Sequence, residues 1–178
     1  MKQNGSHLNK AVFLDRDGVL TCSKTPPKNL QDIKTMPKIE ELLQYLKCNN
    51  FLIFCITNQP DVAKGTKTLT EVQEINDILW ANYPEIIRFE ICPHLDEDNC
   101  ICRKPKAGMI ISMAQEYNID LSKSWVVGDR WRDIGAGNNA GCKTIFFNYR
   151  NRGELKNYNP DFTAKTVGDL IRIFERNI

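Results

Sequence analysis

The 178-residue chain has no apolar run near the roughly 20 residues that a helix needs to cross a bilayer. Its first nine residues, Met1 to Asn9, are polar and lack the apolar core of a signal peptide. Charge of one sign is missing too. A formal net charge of +2 gives no electrostatic reason to expect a nucleic-acid or anionic-membrane partner. There is no internal repeat and no low-complexity linker that would mark a second domain. The seven cysteines do not make a disulfide framework, because the total is odd and the chain carries no export signal. Cys22, Cys48, Cys55 and Cys142 are scattered, and Cys55 sits inside the apolar run Phe51-Leu52-Ile53-Phe54-Cys55-Ile56 as a buried thiol would. These absences leave one cytoplasmic domain over residues 1–178, with 1–9 as a flexible tail and a monomer as the expected state.

Short apolar runs at 11–14, 51–56, 86–91, 124–127 and 143–147 read as strands, and helical patterns lie between them. Pro37 is placed to open a helix with Ile39, Leu42, Leu43 and Leu46 on one face. Thr70 and Gln73 have capping-box spacing ahead of the stripe Val72, Ile75, Leu79. Met109, Ile110, Met113, Ala114 and Tyr117 form a third face, and a fourth helix follows Asp129. Thr166 and Asp169 open a last one carrying Val167, Leu170, Ile171 and Phe174. This alternation predicts an α/β fold, a mostly parallel sheet covered on both faces. Right-handed crossovers then line up the C-terminal strand ends along one edge, where polar motifs would meet. Residues 21–36, with Pro26-Pro27, form the one long irregular stretch and are expected to act as a mobile flap.

Four motifs follow strands. Asp15-Arg16-Asp17-Gly18 puts two carboxylates on the same side of an extended backbone, and Gly18 lets the chain turn away and leaves room for a substrate. Such a pair attracts a divalent cation and supplies a nucleophile and an acid–base group together; alone, it would equally suit an acidic surface turn. Thr57-Asn58-Gln59 offers a hydroxyl and backbone N–H groups to phosphoryl oxygens. Asp129, entering from Trp125-Val126-Val127-Gly128, supplies another hard oxygen for a cation. Asp133, one turn later, either supports that site from behind or answers the positive helix end. Arg103-Lys104-Pro105-Lys106 is either a solvated basic face or, stiffened by Pro105, a means of aiming a lysine at a transferred phosphoryl group. Cys92, His94, Cys100 and Cys102 are a four-ligand set suited to a tetrahedral structural zinc in the loop 92–102, which would pin the segment leading into Arg103 and Lys104.

In this order the motifs resemble the haloacid dehalogenase-like (HAD) phosphatases, and within them the small zinc-containing branch (subfamily IIIA) that holds heptose-bisphosphate and histidinol-phosphate phosphatases. The resemblance runs from about residue 10 to residue 147. It implies a Rossmann-like three-layer α/β/α sandwich without a large cap. It also implies a nucleophilic Asp15, an acid–base Asp17, and magnesium held by Asp15, the Asp17 carbonyl and Asp129. Thr57 and Lys104 would bind the phosphoryl group, and Asn58, Arg103 and Lys64 the rest of the substrate. The implied substrate is a small phosphorylated sugar, with the 7-phosphate of D-glycero-D-manno-heptose 1,7-bisphosphate, a precursor of cell-surface polysaccharide, as the leading candidate. Histidinol phosphate or another sugar phosphate is the alternative. The segment Pro60-Asp61-Val62-Ala63-Lys64-Gly65 departs from the Ser-Gly-Ile-Ala-Arg-Gly common in heptose-bisphosphate phosphatases, and only five residues separate His94 from Cys100. An inactive zinc-stabilised binding protein is the competing reading from another class. The presence of Asp15, Asp17, Thr57, Lys104 and Asp129 together speaks against it.

Overall fold

The computed structural model describes residues 8–22, 33–151 and 155–178. Six strands form a single parallel sheet in the order β3-β2-β1-β4-β5-β6: β1 Lys10–Leu14, β2 Phe51–Asn58, β3 Ile86–Cys92, β4 Trp125–Gly128, β5 Lys143–Phe147 and β6 Phe162–Ala164. Four α-helices connect successive strands from β1 to β5, namely α1 Ile39–Cys48, α2 Leu69–Asn82, α3 Gly108–Glu116 and α4 Trp131–Ala140, and α5 Val167–Asn177 follows β6. The strand order reverses direction beside β1, between β1 and β4. In a doubly wound sheet that crevice, at the carboxyl ends of the strands, receives ligands.

Alternate side chains of the central strands enter two separate cores, as the two-residue period of a strand requires. Val12, Leu14, Ile53, Cys55, Trp125 and Val127 pack with Leu42, Leu46, Ile75, Leu79 and Phe174, from α1, α2 and α5. Ala11, Phe13, Phe54, Ile56 and Val126 pack on the other face with Met109, Ile110, Met113 and Ala136, from α3 and α4. The result is the three-layer α/β/α arrangement. Phe13 stacks on Phe54 at 5.5 Å across adjacent strands, which ties their register to the core. No helix among the described residues is long and apolar enough to cross a membrane.

Several boundaries differ from the sequence reading. The α2 capping box is Thr68 with Glu71, not Thr70 with Gln73: Thr68 Oγ1 accepts from the Glu71 N–H at 3.1 Å, and Glu71 Oε2 accepts from the Thr68 N–H at 2.6 Å. A carboxylate accepts that hydrogen bond better than the carboxamide of Gln73, which donates instead to Asp77. Pro37 does not occupy the first turn of α1. Lys38, in the left-handed region at φ 67°, is the cap, and the helix starts at Ile39. Ser124 lies just outside β4, where its hydroxyl accepts from the Ala11 N–H and donates to the Asp120 carbonyl. The three-residue edge strand β6 was not expected, being too short to show periodicity.

Residues 1–7 of the expected tail lie outside the described residues, but Asn9 is fastened. Its N–H donates to the Asn118 carbonyl and its own carbonyl accepts from the Asp120 N–H. The central part of the expected flap, 23–32, also lies outside them. Its two ends are stitched together by hydrogen bonds from Cys22 N to Lys34 O and from Met36 N to Leu20 O.

Candidate active site

A cavity of about 580 Å³ opens at the carboxyl ends of β1, β2 and β4, lined by Asp15, Asp17, Thr57, Lys104, Asp129 and Asp133 among others. Three of these residues are delivered straight from strands. Asp15 follows β1, with its N–H donating to the Val127 carbonyl at 2.9 Å; Thr57 is the last residue but one of β2; Asp129 follows β4. Gly18 makes this convergence possible. Its φ of +105° suits only glycine, and a Cβ there would lie 2.3 Å from Asp129 Oδ2.

Lys104 comes from the loop between β3 and α3 and is almost fully buried. Its ammonium donates to Asp15 Oδ1 at 2.7 Å and to the Ile56 carbonyl at 2.8 Å, and pairs with Asp133 Oδ1 at 2.6 Å. The choice left open by the basic run is thereby decided: Lys104 points inward. Burial pushes against its charge, but the Asp133 and Asp15 carboxylates prevail and hold its pKa above the usual lysine range. Asn58 clamps the same residue from both sides, accepting from the Lys104 N–H at 3.1 Å and donating to its carbonyl at 3.0 Å.

The carboxylates outnumber this cation. Oxygens of Asp15, Asp129 and Asp133 lie within 4.8 Å of one another. Burial raises the Asp15 pKa well above the ordinary value; Lys104 opposes the shift, while Asp133, Asp129 and Asp17 add to it. Asp129 is pushed up to about 7, first by burial and then by Asp133. Its Oδ1 is buried without any hydrogen-bond partner. A buried acceptor left unpaired beside surplus negative charge, built from hard oxygens, fits a divalent cation such as magnesium.

These shifts carry a pH consequence. Without a divalent cation, folded Asp129 keeps a proton that the unfolded chain loses, so stability should fall as pH rises from about 4 to about 7. The loss should reach a few kcal/mol by neutrality, with Asp15 acting in the same sense. Melting curves across this window in magnesium-free and magnesium-containing buffer should diverge toward neutral pH; parallel curves would contradict the assignment.

Asp17 is arranged differently. Burial would raise its pKa, but the Arg16 guanidinium, with hydrogen bonds from Arg16, Gln59 and Thr21, brings it below the ordinary carboxylate range. Gln59 Nε2 donates to Asp17 Oδ2 and to Thr57 Oγ1, both at 2.8 Å. Arg16 and Gln59 were not singled out as site residues in the sequence. Gln59 could have been found as the third member of Thr57-Asn58-Gln59, and Arg16 as the residue between the two motif carboxylates; only its second partner, Asn76, is 60 residues away and carries no local signal.

The cysteine loop closes on itself. Cys92, Cys100 and Cys102 have Sγ–Sγ separations of 3.3, 3.4 and 3.7 Å, and His94 Nδ1 lies 3.4 Å from Cys102 and 3.7 Å from Cys92. A tetrahedral zinc with bonds of about 2.3 Å to sulfur has ligand–ligand edges of about 3.7 Å, so the donor set fits that ion. The loop is braced to the cavity by Asp96, which accepts from Arg103 Nε at 2.7 Å and from both terminal nitrogens of Arg132 at 2.8 Å. Arg103 lines the cavity. Lys64 does not; it is exposed and pairs with Asp61 at 3.7 Å. The position proposed for it against the substrate is not formed among the described residues.

A family model described as HAD-hydrolase-like matches residues 101–170. The chain is 34% identical over 140 residues to the D-glycero-beta-D-manno-heptose-1,7-bisphosphate 7-phosphatase of Helicobacter pylori, covering 76% of this chain and 80% of that protein. It is 35% identical, with the same coverages, to the D-glycero-alpha-D-manno-heptose-1,7-bisphosphate 7-phosphatase of Campylobacter jejuni. The crystal structure of D,D-heptose 1,7-bisphosphate phosphatase from B. bronchiseptica complexed with magnesium and phosphate superimposes with a TM-score of 0.81 at 25% identity, covering 95% of this chain and 99% of that one.

Proposed function

The chain belongs to the heptose-1,7-bisphosphate 7-phosphatase family of HAD-like phosphatases, and from that premise we propose that it removes the 7-phosphate of D-glycero-D-manno-heptose 1,7-bisphosphate through an aspartyl-phosphate on Asp15. In this reading the whole chain is one phosphatase domain in the synthesis of a cell-surface polysaccharide precursor. The observation that carries it is the buried Asp15 carboxylate, set at the floor of the cavity 2.7 Å from the Lys104 ammonium.

Asp15 attacks phosphorus, and the bond to the sugar oxygen breaks as Asp17, which has to enter this step protonated against the pull of Arg16, gives that oxygen its proton. Asp17 then takes a proton from water, which attacks the phosphoryl-Asp15 and releases inorganic phosphate. One ester and one water thus become one alcohol and one phosphate, and Asp17 ends as it began. Lys104 and the Thr57 hydroxyl hold phosphoryl oxygens, so a dianion can approach a carboxylate. Asn58 acts through the Lys104 backbone that it clamps, and Arg103 faces the remainder of the substrate. The Asp15 and Asp129 carboxylates with the Asp17 carbonyl would hold magnesium, which when bound neutralises charge on carboxylates and phosphate alike. Relatives named for the beta and the alpha anomer are similar to the chain at 34% and 35% identity, so both anomers belong in the test. Phosphate release from both heptose bisphosphates, their monophosphates and histidinol phosphate tests the reading. Strong preference for one heptose bisphosphate is expected, and equal weak turnover of all would refute the substrate.

Cys92, His94, Cys100 and Cys102 would hold zinc with no open position, so the ion's role is to keep the loop before Arg103 and Lys104 in place. Cys100→Ser is expected to lose about one equivalent of zinc, to melt at least several degrees lower, and to turn over more slowly through displacement of Lys104. Metal analysis, melting curves and phosphate release on the same samples check this. Full stability and activity in a metal-free protein would overturn it.

A further inference from the structure

Arg16 stands between the two motif carboxylates, and its side chain is fully buried. A guanidinium stays charged at any pH where a protein folds, so at that depth it needs partners. Its Nε and Nη2 hold Asp17 Oδ2 at 3.2 and 2.9 Å, and its Nη1 donates to Asn76 Oδ1 at 3.0 Å. Asn76 reaches it from the buried side of α2 and is itself 1% exposed. The Asp17 carboxylate is further fixed by the Thr21 hydroxyl at 3.3 Å and the Gln59 amide at 2.8 Å, while 42% of its side chain still faces the cavity. A planar fork on one carboxylate restricts its rotation far more than a point charge would.

We infer that Arg16, braced by Asn76 of α2, is the positioning residue for Asp17 and fixes where the acid–base carboxylate stands in the cavity. The inference rests on the proposed role of Asp17. Helix α2, which contributes nothing to the cavity lining, then sets the geometry of proton transfer through one buried contact. A displacement of about 1 Å in such a group can cost about 100-fold in rate.

The test compares a heptose bisphosphate, whose leaving alkoxide needs a proton, with p-nitrophenyl phosphate, whose phenolate does not. Arg16→Met should lower kcat for the sugar phosphate by about 100-fold with KM unchanged. The single-turnover phosphorylation rate with p-nitrophenyl phosphate should change by no more than about threefold. Arg16→Lys should recover part of the loss. In an Asp17→Asn background, Arg16→Met should have no further effect, because two residues acting through one group are not additive. Asn76→Leu removes only the brace and should lower the sugar-phosphate kcat by about tenfold; it carries the comparison if Arg16→Met does not fold. Equal losses on both substrates, a raised KM with unchanged kcat, or additive loss over Asp17→Asn would each overturn the role of Arg16. Wild-type turnover of both substrates, abolished in Asp15→Asn, is the control. Its absence would count against the phosphatase reading itself, whereas its presence beside unselective losses counts only against Arg16.

Discussion

Asp15→Asn should give a protein that no longer releases phosphate yet, in magnesium-free buffer, melts above the parent. The loss of activity follows from the chemistry. A carboxamide is not a competent nucleophile toward phosphorus, and a fall on the order of 10⁴-fold or more is expected when the proposed nucleophile is removed. The gain in stability follows from the crowding of Asp15, Asp129 and Asp133 around one ammonium. Burial and three neighbouring carboxylates raise the Asp15 pKa against the pull of Lys104, so its charge is held at a cost at neutral pH. Asparagine keeps an oxygen for Lys104 and removes that charge. A gain of about 1 kcal/mol would raise the melting temperature by about 3 °C in a chain of this size. Saturating magnesium should narrow the difference, because the cation would stabilise the wild type more. Phosphate release and paired melts settle both halves. An inactive variant that melts lower without magnesium would show that the carboxylates are not in surplus.

Much of this arrangement is visible in short stretches of sequence. Asp15, Thr57 and Asp129 each end a run of apolar residues, and a parallel sheet brings such ends to one edge whatever the detailed packing. The spacing of Cys92, His94, Cys100 and Cys102 is equally local, since both claws lie within eleven residues. What escaped the sequence depends on distance along the chain. Asp133 reads at most as support for a cation, yet it shares Lys104 with Asp15 across 29 and 89 residues. Asp96, an unremarked acid in the cysteine loop, binds Arg132 of α4, a partner no local pattern marks. The α2 cap shifted by two residues because competition between Glu71 and Gln73 is decided by hydrogen-bond strength, not by spacing. Lys64 shows the converse limit. A position suggested by likeness to a motif need not bring the side chain into the cavity.

Lys104→Met should be more damaging than the loss of any other single cation in the site, and a second substitution should separate its two roles. The methionine fills a similar volume but leaves Asp15 and Asp133, both buried, without the ammonium that neutralises them. Removing one member of a buried ion pair costs about 3–5 kcal/mol, mostly through the charge left behind. The variant should therefore melt about 10 °C lower in magnesium-free buffer. Turnover should fall by about 100- to 1,000-fold, since the donor proposed for the transferred phosphoryl group is gone. Lys104→Met with Asp133→Asn removes one abandoned charge, and it should recover much of the stability while turnover stays low. Such a split would assign the Lys104–Asp133 contact, 2.6 Å long, to holding the lysine and the Lys104–Asp15 contact to the reaction. Recovery of stability and turnover together would mean that Lys104 serves the fold alone, and that Thr57 suffices to hold the phosphoryl oxygens.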